Sequence, residues 1–418
     1  MFTDFKPIIK NKNFRYLWIS QILSQVTINI MNFILIVRLL SETGSTIATS
    51  MLWVAYALPA ILIGPIAAAS VDVLDKKKVL IFTNLFQSLS IFLFALLSKQ
   101  AIFSLYGLAF TYSFFNQFYV PAEQASLPGL VDKKNLPHAN GIYFLTQQAS
   151  LIIGFGVAGA LNYFFGFENT LFLASGLIFL AFLSVNMLPK MKTQIQMSWS
   201  LDESIIDFFR KILEGYRYIK AKKRVLLPLL ILLGLTVSLS IISVNVPVIA
   251  TDIFNISANL AGVGVIIPAG IGAIVGSLAV PKLLKKKVRK KKIIERSLVT
   301  ILISLFVLNI LTAVLPGTLK IIVGTIGIVL LGFSFMGILI PSQTFLQEHT
   351  SEDFRGRVFG NFWFLAHIVT VLPVMFAGVI TQYLGIRTLL TIVGIAPIYL
   401  FVYSKAKGSN LFNNYEKI

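Results

Sequence analysis

Three ionisable side chains lie inside or beside uncharged stretches of this sequence, where a charge is costly and is commonly functional. His367 lies well inside an apolar run, and a histidine titrates near physiological pH. Glu123 and Glu348 each follow a proline at the end of such a run. We predict that these residues exchange protons. Structural roles compete with this interpretation: a hydrogen-bonded neutral histidine, and carboxylates that pair with Arg355 or Arg357.

Uncharged polar side chains form a second set, which could bind a solute. In the first apolar run, amides recur at spacings of four, four and three residues, roughly along one helical face. Lipid would penalise such a face, so we expect it to line a cavity or to form hydrogen bonds between helices. The predicted substrate-binding residues are Gln25, Asn29, Asn32, Asn116, Gln147, Gln148 and Asn245.

A third set lies where an uncharged run ends abruptly in charge, in the segment GPIAAASVDVLDKKKVL at positions 64–80. We predict that this segment is a cytoplasmic loop that gates access. Helix N-termini attract carboxylates, so Asp72 is expected to dock near Gly356, at the start of a later helix, and to release when the cytoplasmic side opens. The predicted gating residues are Gly64, Asp72, Asp75, Lys76, Lys77, Arg355 and Arg357.

The sequence lacks the motifs that several kinds of chemistry require. There is no cysteine, which excludes disulfides and thiolate sites, and no Gly-Lys pair, which excludes a Walker A phosphate loop. The sequence also has no HExxH motif and no Cys/His cluster of the kind that binds a metal. We therefore expect no enzyme activity, no catalytic residues, no metal and no cofactor.

Long apolar runs must position these side chains. Hydrophobic residues make up 56% of the 418 residues and charged residues only 13%, which is typical of a membrane protein. Small residues at 154–160 and 272–276 should let helices pack closely. Twelve runs without Asp, Glu, Lys or Arg approach or exceed the length of one bilayer crossing, six on each side of a polar connector. They span 18–37, 45–71, 79–98, 101–122, 139–167, 169–189, 225–251, 253–281, 297–319, 321–347, 358–386 and 388–404.

The net charge of +19 could indicate nucleic acid, but the distribution of the charge points to a membrane. The N-terminus, the even-numbered loops and the C-terminus hold 32 of the 36 lysines and arginines. The odd-numbered loops hold only Arg38, Lys99, Lys320 and Arg387. This is the positive-inside pattern. We predict a multi-pass protein of the plasma (inner) membrane with both termini in the cytoplasm, contacts with membrane lipid and no nucleic-acid partner.

Two gap-free internal matches indicate that the chain is duplicated. Residues 59–78 match residues 268–287, and both segments begin Pro-Ala and reach three consecutive lysines seventeen residues after the proline. Residues 121–141 match residues 341–361, with a proline at the start of each. The two aspartates of the first loop are absent from its copy. One half is therefore expected to carry the gate.

A polar connector separates the halves. Residues 200–203, Ser-Leu-Asp-Glu, have the form of a capping box and precede apolar residues at helical spacing, with basic residues at other positions. We predict an amphipathic helix on the inner leaflet of the membrane. The predicted domains are an N-terminal bundle at 1–189, the connector at 190–224, a C-terminal bundle at 225–404 and a cytoplasmic tail at 405–418.

These segments resemble signatures of the major facilitator superfamily, specifically of its macrolide-efflux-type and siderophore-export-type permeases. The residues that carry the resemblance are GPIAAASVDVLDKKK, PAEQASLPGLV with LPHANG, and RGRVFG. The resemblance implies an all-α membrane protein with twelve transmembrane helices in two pseudo-symmetric six-helix bundles, which rock to give alternating access. It also implies that Asp72 controls gating, that Gly64 permits close packing, and that Lys76 and Lys77 form the basic end of the loop. Val73 stands where the family usually has arginine.

The leading functional hypothesis is a secondary active transporter of the multidrug-efflux type. As a proton-coupled antiporter, it would export a small amphipathic or hydrophobic compound, and we expect it to be a monomer. One alternative is an importer of a nutrient or a transporter of a lysolipid, because the resemblance does not distinguish import from export. Another is a membrane sensor or assembly partner that keeps the fold without transport.

Overall fold

The computed structural model describes residues 6–97, 102–132, 135–191 and 201–406, and in these ranges the chain is helical without β-strands. Long apolar stretches explain this architecture. In hydrocarbon a backbone has no water to bond with, so it must satisfy its N–H and C=O groups internally, as a helix does. The predicted all-α class is confirmed.

The helices of the N-terminal half follow the predicted runs closely. Asn11 caps the second helix, since its Oδ1 accepts the backbone N–H groups of Asn13 and Phe14 at 3.0 and 3.3 Å. Gly44, with φ of 60°, ends it. In chain order the helices are α1 (Lys6–Lys10), α2 (Lys12–Thr43), α3 (Thr46–Leu62), α4 (Gly64–Val73), α5 (Lys76–Leu97), α6 (Phe103–Leu130) and α7 (Leu136–Asn186).

The C-terminal half begins with the connector helix, which is confirmed as a helix, although the predicted capping box at Ser200 lies outside the described residues. Short π-helical turns occur at Ile249–Ile253, Gly262–Ile266 and Val307–Leu311. The α-helices are α8 (Leu201–Ala221), α9 (Lys223–Val248), α10 (Ile267–Lys285), α11 (Lys290–Phe306), α12 (Thr312–Val314), α13 (Gly317–His349) and α14 (Glu352–Ala406).

Eight helices in the described ranges are long and apolar enough to cross a membrane, and α3 with α4, bent by 49°, would make a ninth span. Two of the eight, His138–Asn186 and Arg357–Lys405, are 49 residues long. That is more than twice the roughly 20 residues that one crossing needs. Each is broken at a glycine with a non-helical backbone, Gly166 (φ 79°, ψ 170°) and Gly385 (φ 81°, ψ 162°). The total of twelve spans stays a prediction.

The chain divides into two compact units. The first comprises Met1–Gly44 and Met51–Lys211, and the second comprises Ser45–Ser50 and Ile212–Ile418. Thr46 ties its short segment to the second unit, because its backbone N–H donates to Gln382 Oε1 and its hydroxyl to the Gly378 carbonyl, both at 2.7 Å. The division falls inside α8, within the predicted connector, and the predicted domain boundaries stay predictions.

Small residues allow close helix contacts inside each unit, as predicted. In the first unit α2 packs on α7, and a Cβ on Gly154 would lie 3.1 Å from the Val26 carbonyl oxygen. In the second unit α10 packs on α13, and a Cβ on Gly276 would lie 2.8 Å from the Phe333 carbonyl oxygen. Side chains at these positions would force the helices apart, so the predicted packing role is confirmed.

The charged loop after α4 is fixed locally by its own residues. Asp75 Oδ1 accepts the backbone N–H groups of Lys77 and Lys78 at 3.0 and 3.3 Å, so Asp75 caps the start of α5. The Lys77 ammonium donates to the Leu188 carbonyl, just beyond the end of α7. Both side chains therefore hold helix ends of the first unit.

Replacing Asp75 by alanine should destabilise the start of α5 by about 1 kcal/mol, because two backbone N–H groups lose their acceptor. The expected result is a lower melting temperature of the purified protein in detergent. Asp75→Asn keeps an acceptor oxygen and is the control, with a melting temperature closer to wild type. Equal melting temperatures for the two variants would contradict the capping role.

Candidate functional site

A chain of hydrogen bonds crosses three helices of the first unit and ends on Glu123. Asn84 of α5 donates from Nδ2 to Ser20 Oγ of α2 at 3.2 Å. The Ser20 hydroxyl lies 3.0 Å from the Tyr119 hydroxyl of α6, which donates to Glu123 Oε1 at 3.1 Å. All four side chains are at most 3% exposed. Glu123 was predicted as a proton site, whereas its three partners were missed.

Glu123 has no cation to balance an ionised carboxylate among the residues that the structure describes. Arg357 itself pairs with Glu214 within the second unit. The side chain of Arg355 lies outside the described residues. An unpaired buried charge is far more costly than a neutral, hydrogen-bonded group. The site is therefore suited to a carboxyl group that gains and loses a proton.

Neighbouring polar atoms of the first unit are buried without a partner. Gln21 Nε2 donates to the Tyr143 carbonyl at 3.3 Å. In the part of the chain that the structure describes, Gln21 Oε1, Asn84 Oδ1 and the Tyr143 hydroxyl have no hydrogen-bond partner. Each such atom costs about 1–3 kcal/mol if it stays unsatisfied. These atoms offer water or a polar solute three further bonding positions.

The predicted substrate-binding amides of the first unit lie mainly on α2 and α6. Asn29 is buried and donates from Nδ2 to the Gln25 carbonyl one turn earlier at 2.7 Å, whereas the side chains of Gln25 and Asn32 are partly exposed. Asn116 donates from Nδ2 to the Tyr56 hydroxyl at 3.3 Å. Three of these four amides thus keep some exposed surface, and contact with a substrate stays a prediction.

The remaining amides differ in burial. On α7 of the first unit, Gln147 is exposed and Gln148 is half-buried. Asn245 of α9, in the second unit, is 1% exposed, and its Nδ2 donates to the Ile241 carbonyl at 2.9 Å. Its Oδ1 has no partner in the described ranges. Their predicted contacts with a substrate remain predictions.

The other two predicted proton sites, both in the second unit, are not buried. Glu348 is exposed and forms a salt bridge with Lys290. His367 is exposed, and its Nδ1 lies 2.8 Å from the Trp363 carbonyl oxygen. Of the three predicted proton sites, only Glu123 is buried, so its geometry is the most distinctive.

The predicted gating residues of the first unit have mostly local contacts. Asp75 and Lys77 hold helix ends, and Lys76 is partly exposed. A Cβ on Gly64 would lie 3.5 Å from Gln117 Oε1, an ordinary contact, so packing in this conformation does not require glycine there. The side chain of Asp72 lies outside the described residues.

In the second unit, the connector helix α8 docks on the start of α14. Arg357 Nη1 lies 2.8 Å from Glu214 Oε2 in a half-exposed salt bridge. A Cβ on Gly215 would lie 2.9 Å from the Arg357 carbonyl oxygen and would collide with Asn361 Nδ2. The predicted carboxylate near this helix start is Asp72 of the 64–80 loop, whose side chain lies outside the described residues. The described carboxylate beside Arg357 comes instead from the connector, because the buried face of α8 lies on α14.

Tyr218 completes this contact. Its ring stacks on Phe354 with centroids 4.4 Å apart, and its hydroxyl accepts the Ser351 backbone N–H at 3.2 Å and Lys222 Nζ at 3.0 Å. Partial burial raises the pKa of Tyr218, but the hydrogen bonds from Ser351 and Lys222 and the lysine charge outweigh it and lower the pKa overall. We call Glu214, Gly215 and Tyr218, with Phe354 and Arg357, the connector clasp.

Comparisons with known proteins agree with this architecture. Residues 17–373 match the model of the Major Facilitator Superfamily. The multidrug efflux pump Tap of Mycolicibacterium fortuitum is 25% identical over 362 residues, covering 83% of this chain and 84% of that protein. Macrolide efflux protein A of Streptococcus pyogenes is 26% identical over 251 residues, covering 58% of this chain and 60% of that protein.

Among solved structures, a bacterial homologue of the human lysosomal transporter Spinster, in an inward-facing and unoccupied conformation, has a TM-score of 0.72 at 12% identity. The match covers 97% of this chain and 98% of that one, a likeness of fold. Because the family match extends over most of the sequence, the chain belongs to the Major Facilitator Superfamily and is a multi-pass membrane transporter.

Proposed function

We propose that this chain is a secondary active transporter that exports a small amphipathic or hydrophobic compound in exchange for protons. Membership of the family supports transport, and the relatives named as efflux pumps support export. The observation that carries proton coupling is the buried Glu123, which has a hydroxyl donor and no described cation beside it. We further propose a monomer in the plasma membrane, with both termini in the cytoplasm and alternating access as the mechanism.

The proposed coupling step uses only the first unit. When water reaches Glu123, its carboxyl can release a proton. The Tyr119 hydroxyl then donates a hydrogen bond to Oε1 of the carboxylate. When the site closes, the cost of burying the charge favours reprotonation. The chain through Ser20 to Asn84 connects this event to α2 and α5, because a change at the tyrosine hydroxyl alters what Ser20 can donate or accept.

The proposed substrate class rests on a few polar groups in an apolar chain. Small-molecule sites are mostly apolar, with few polar groups that fix orientation. The amides of α2 and Asn116, all in the first unit, fit that description of a site. One relative is named as a macrolide efflux protein. Macrolides are therefore the first compounds to test.

We also propose that the connector clasp sets the position of the first turn of α14. The salt bridge between Glu214 and Arg357 is half-exposed and contributes little by itself. Gly215 and the stacked ring of Tyr218 add close packing on the same helix face. Movement of α14 in gating would then have to carry α8 with it or break these contacts.

Expression in a bacterial strain without its own efflux pumps should lower the amount of radiolabelled macrolide that energised cells accumulate. A protonophore should remove the difference, because export then loses its driving force. Vector-only cells are the control. Higher accumulation than in these cells would indicate import instead, and unchanged accumulation of macrolides and a panel of amphipathic drugs would contradict export.

The variant Glu123→Gln should abolish macrolide transport driven by a pH gradient in proteoliposomes, because the amide cannot carry the proton. Exchange of macrolide across the same membranes without a gradient should persist. Glu42→Gln, which changes an exposed carboxylate paired with Arg38, is the control and should behave as wild type. Retained gradient-driven transport in Glu123→Gln would exclude Glu123 as the coupling site.

Gly215→Ala should loosen the connector clasp, although alanine is normally about 1 kcal/mol better than glycine in a helix. The expected result is faster amide hydrogen exchange in α8 and in the first turn of α14. Gly234→Ala in α9, where a Cβ meets nothing within 4 Å, is the control and should slow exchange or leave it unchanged. Slower exchange in α8 of Gly215→Ala would show that the close contact is absent.

A further inference from the structure

The hydrogen-bond chain that ends on Glu123 has a direction in this structure. Tyr119 has one hydroxyl proton, and it donates that proton to Glu123 Oε1 at 3.1 Å. The 3.0 Å bond between the Ser20 and Tyr119 hydroxyls must therefore use the proton of Ser20. The Ser20 oxygen in turn accepts Asn84 Nδ2 at 3.2 Å. Every donor in the chain thus points towards the carboxyl group, an arrangement that suits an ionised carboxylate.

A proton on Glu123 Oε1 would reverse this chain, because two donors cannot share one hydrogen bond. The carboxyl would then donate to the Tyr119 oxygen, and the Tyr119 hydroxyl would donate to Ser20. Ser20 would need an acceptor where it now has a donor. Asn84 Nδ2 cannot accept, since an amide nitrogen only donates. The chain therefore reverses only if the group at its far end can offer an oxygen.

Asn84 carries such an oxygen. Its side chain is 0% exposed, and its Oδ1 has no hydrogen-bond partner in the part of the chain that the structure describes. A half turn of the amide about the Cβ–Cγ bond exchanges Oδ1 and Nδ2, and Ser20 can then donate to Oδ1. Asn84 can thus end the chain in either direction, as a donor or as an acceptor.

A neighbouring amide suits the turned state of Asn84. Gln87 lies three residues further along α5, a spacing that places two side chains on the same face of a helix. Gln87 Nε2 donates to the Tyr112 carbonyl at 3.3 Å, whereas Gln87 Oε1 is buried and has no partner among the described residues. As the chain stands, this face of α5 therefore holds two unpaired oxygens. Turning Asn84 replaces one of them with an N–H donor that the other can accept.

The surroundings of Glu123 leave its own protonation as the event that sets the direction of the chain. Among the described residues, the titratable groups that interact with it are Tyr119 of α6 and Tyr143 of α7. The described residues of α2, α4 and α5 bring no charged side chain to it. Phenols keep their protons at physiological pH. The tyrosines therefore pass on a change at Glu123 by rotating a hydroxyl, not by ionising.

We propose that Asn84 is a positioning residue that turns when Glu123 gains a proton, an inference that rests on the proposed coupling role of Glu123. Water delivers the proton to the carboxyl group. The hydroxyls of Tyr119 and Ser20 rotate without exchanging protons, and Asn84 changes from donor to acceptor. The protonation state of Glu123 is thereby passed to α5, which begins within the charged segment 64–80 and packs on α6 and α7.

Infrared difference spectra between high and low pH test this on the purified protein in detergent. Isotope labelling of the asparagine side-chain carbonyl separates its band from those of other residues. At low pH, wild type should gain the band of a protonated carboxyl, and an asparagine carbonyl band should move to lower wavenumber, because Asn84 Oδ1 then accepts a hydrogen bond. Glu123→Gln should lose both changes. Asn84→Leu should lose the asparagine change, which assigns the band.

Ser20→Ala interrupts the chain between Glu123 and Asn84. In this variant the carboxyl change should persist and the asparagine change should disappear. Tyr119→Phe breaks the chain at the next step and should give the same result if Ser20→Ala is poorly folded. Ser126→Ala is the matched control and should keep both changes, because Ser126 is a buried serine on α6 whose hydroxyl donates to the Ala122 carbonyl of its own helix.

The outcomes separate this inference from the proposed function. A carboxyl change in wild type without an asparagine change would overturn the turning of Asn84 alone. An asparagine change that survives both Ser20→Ala and Tyr119→Phe would do the same, as would its loss in Ser126→Ala. If wild type lacked any carboxyl change that Glu123→Gln removes, both the coupling role of Glu123 and this inference would fall.

Discussion

The absence of water from hydrocarbon is the constraint on which this structure depends. It makes each long apolar run helical, because only a helix satisfies the backbone within one segment. It also gives a high cost to each polar side chain inside the units. Most such groups meet the constraint through a nearby carbonyl, as Asn29 and Asn245 do one turn back along their own helices. Glu123 meets it through the Tyr119 hydroxyl, one turn back on its own helix, and that hydroxyl leads on to Ser20 of α2 and Asn84 of α5.

The two units have different proposed roles. In the first unit, a buried acid and its hydroxyl partners form the proposed proton site. In the second unit, the connector clasp fixes the start of α14 by packing more than by charge, since the salt bridge of Arg357 is half-exposed. The sequence predicts that the two halves arose by duplication, and the functional residues of the two units differ. The charged loop shows the same divergence, because its copy lacks both aspartates.

The helical class, the connector helix and the glycine contacts could be predicted from the sequence, because apolar runs and small-residue spacing act locally. Glu123 could be singled out because a carboxylate beside an apolar run is rare. Tyr119 lies one helical turn before Glu123, a local spacing that the sequence does show. Ser20 could not be predicted, because it is 99 residues from Tyr119 and a helical pattern does not say which faces meet. Glu214 was missed for the same reason: periodicity shows that α8 is amphipathic but not what it packs against. Asp75 lies directly before α5, so its capping role is predictable from the local sequence, whereas the pattern was interpreted only as part of a gate.

Binding of the exported compound and loss of a proton from Glu123 should be linked. The most direct measurement mixes a macrolide with purified protein in unbuffered detergent solution containing a pH indicator, over a range of starting pH. Wild type should release a proton on binding, whereas Glu123→Gln should bind the macrolide without release. Equal proton release from both proteins would exclude this linkage, as would binding by wild type without release at any starting pH.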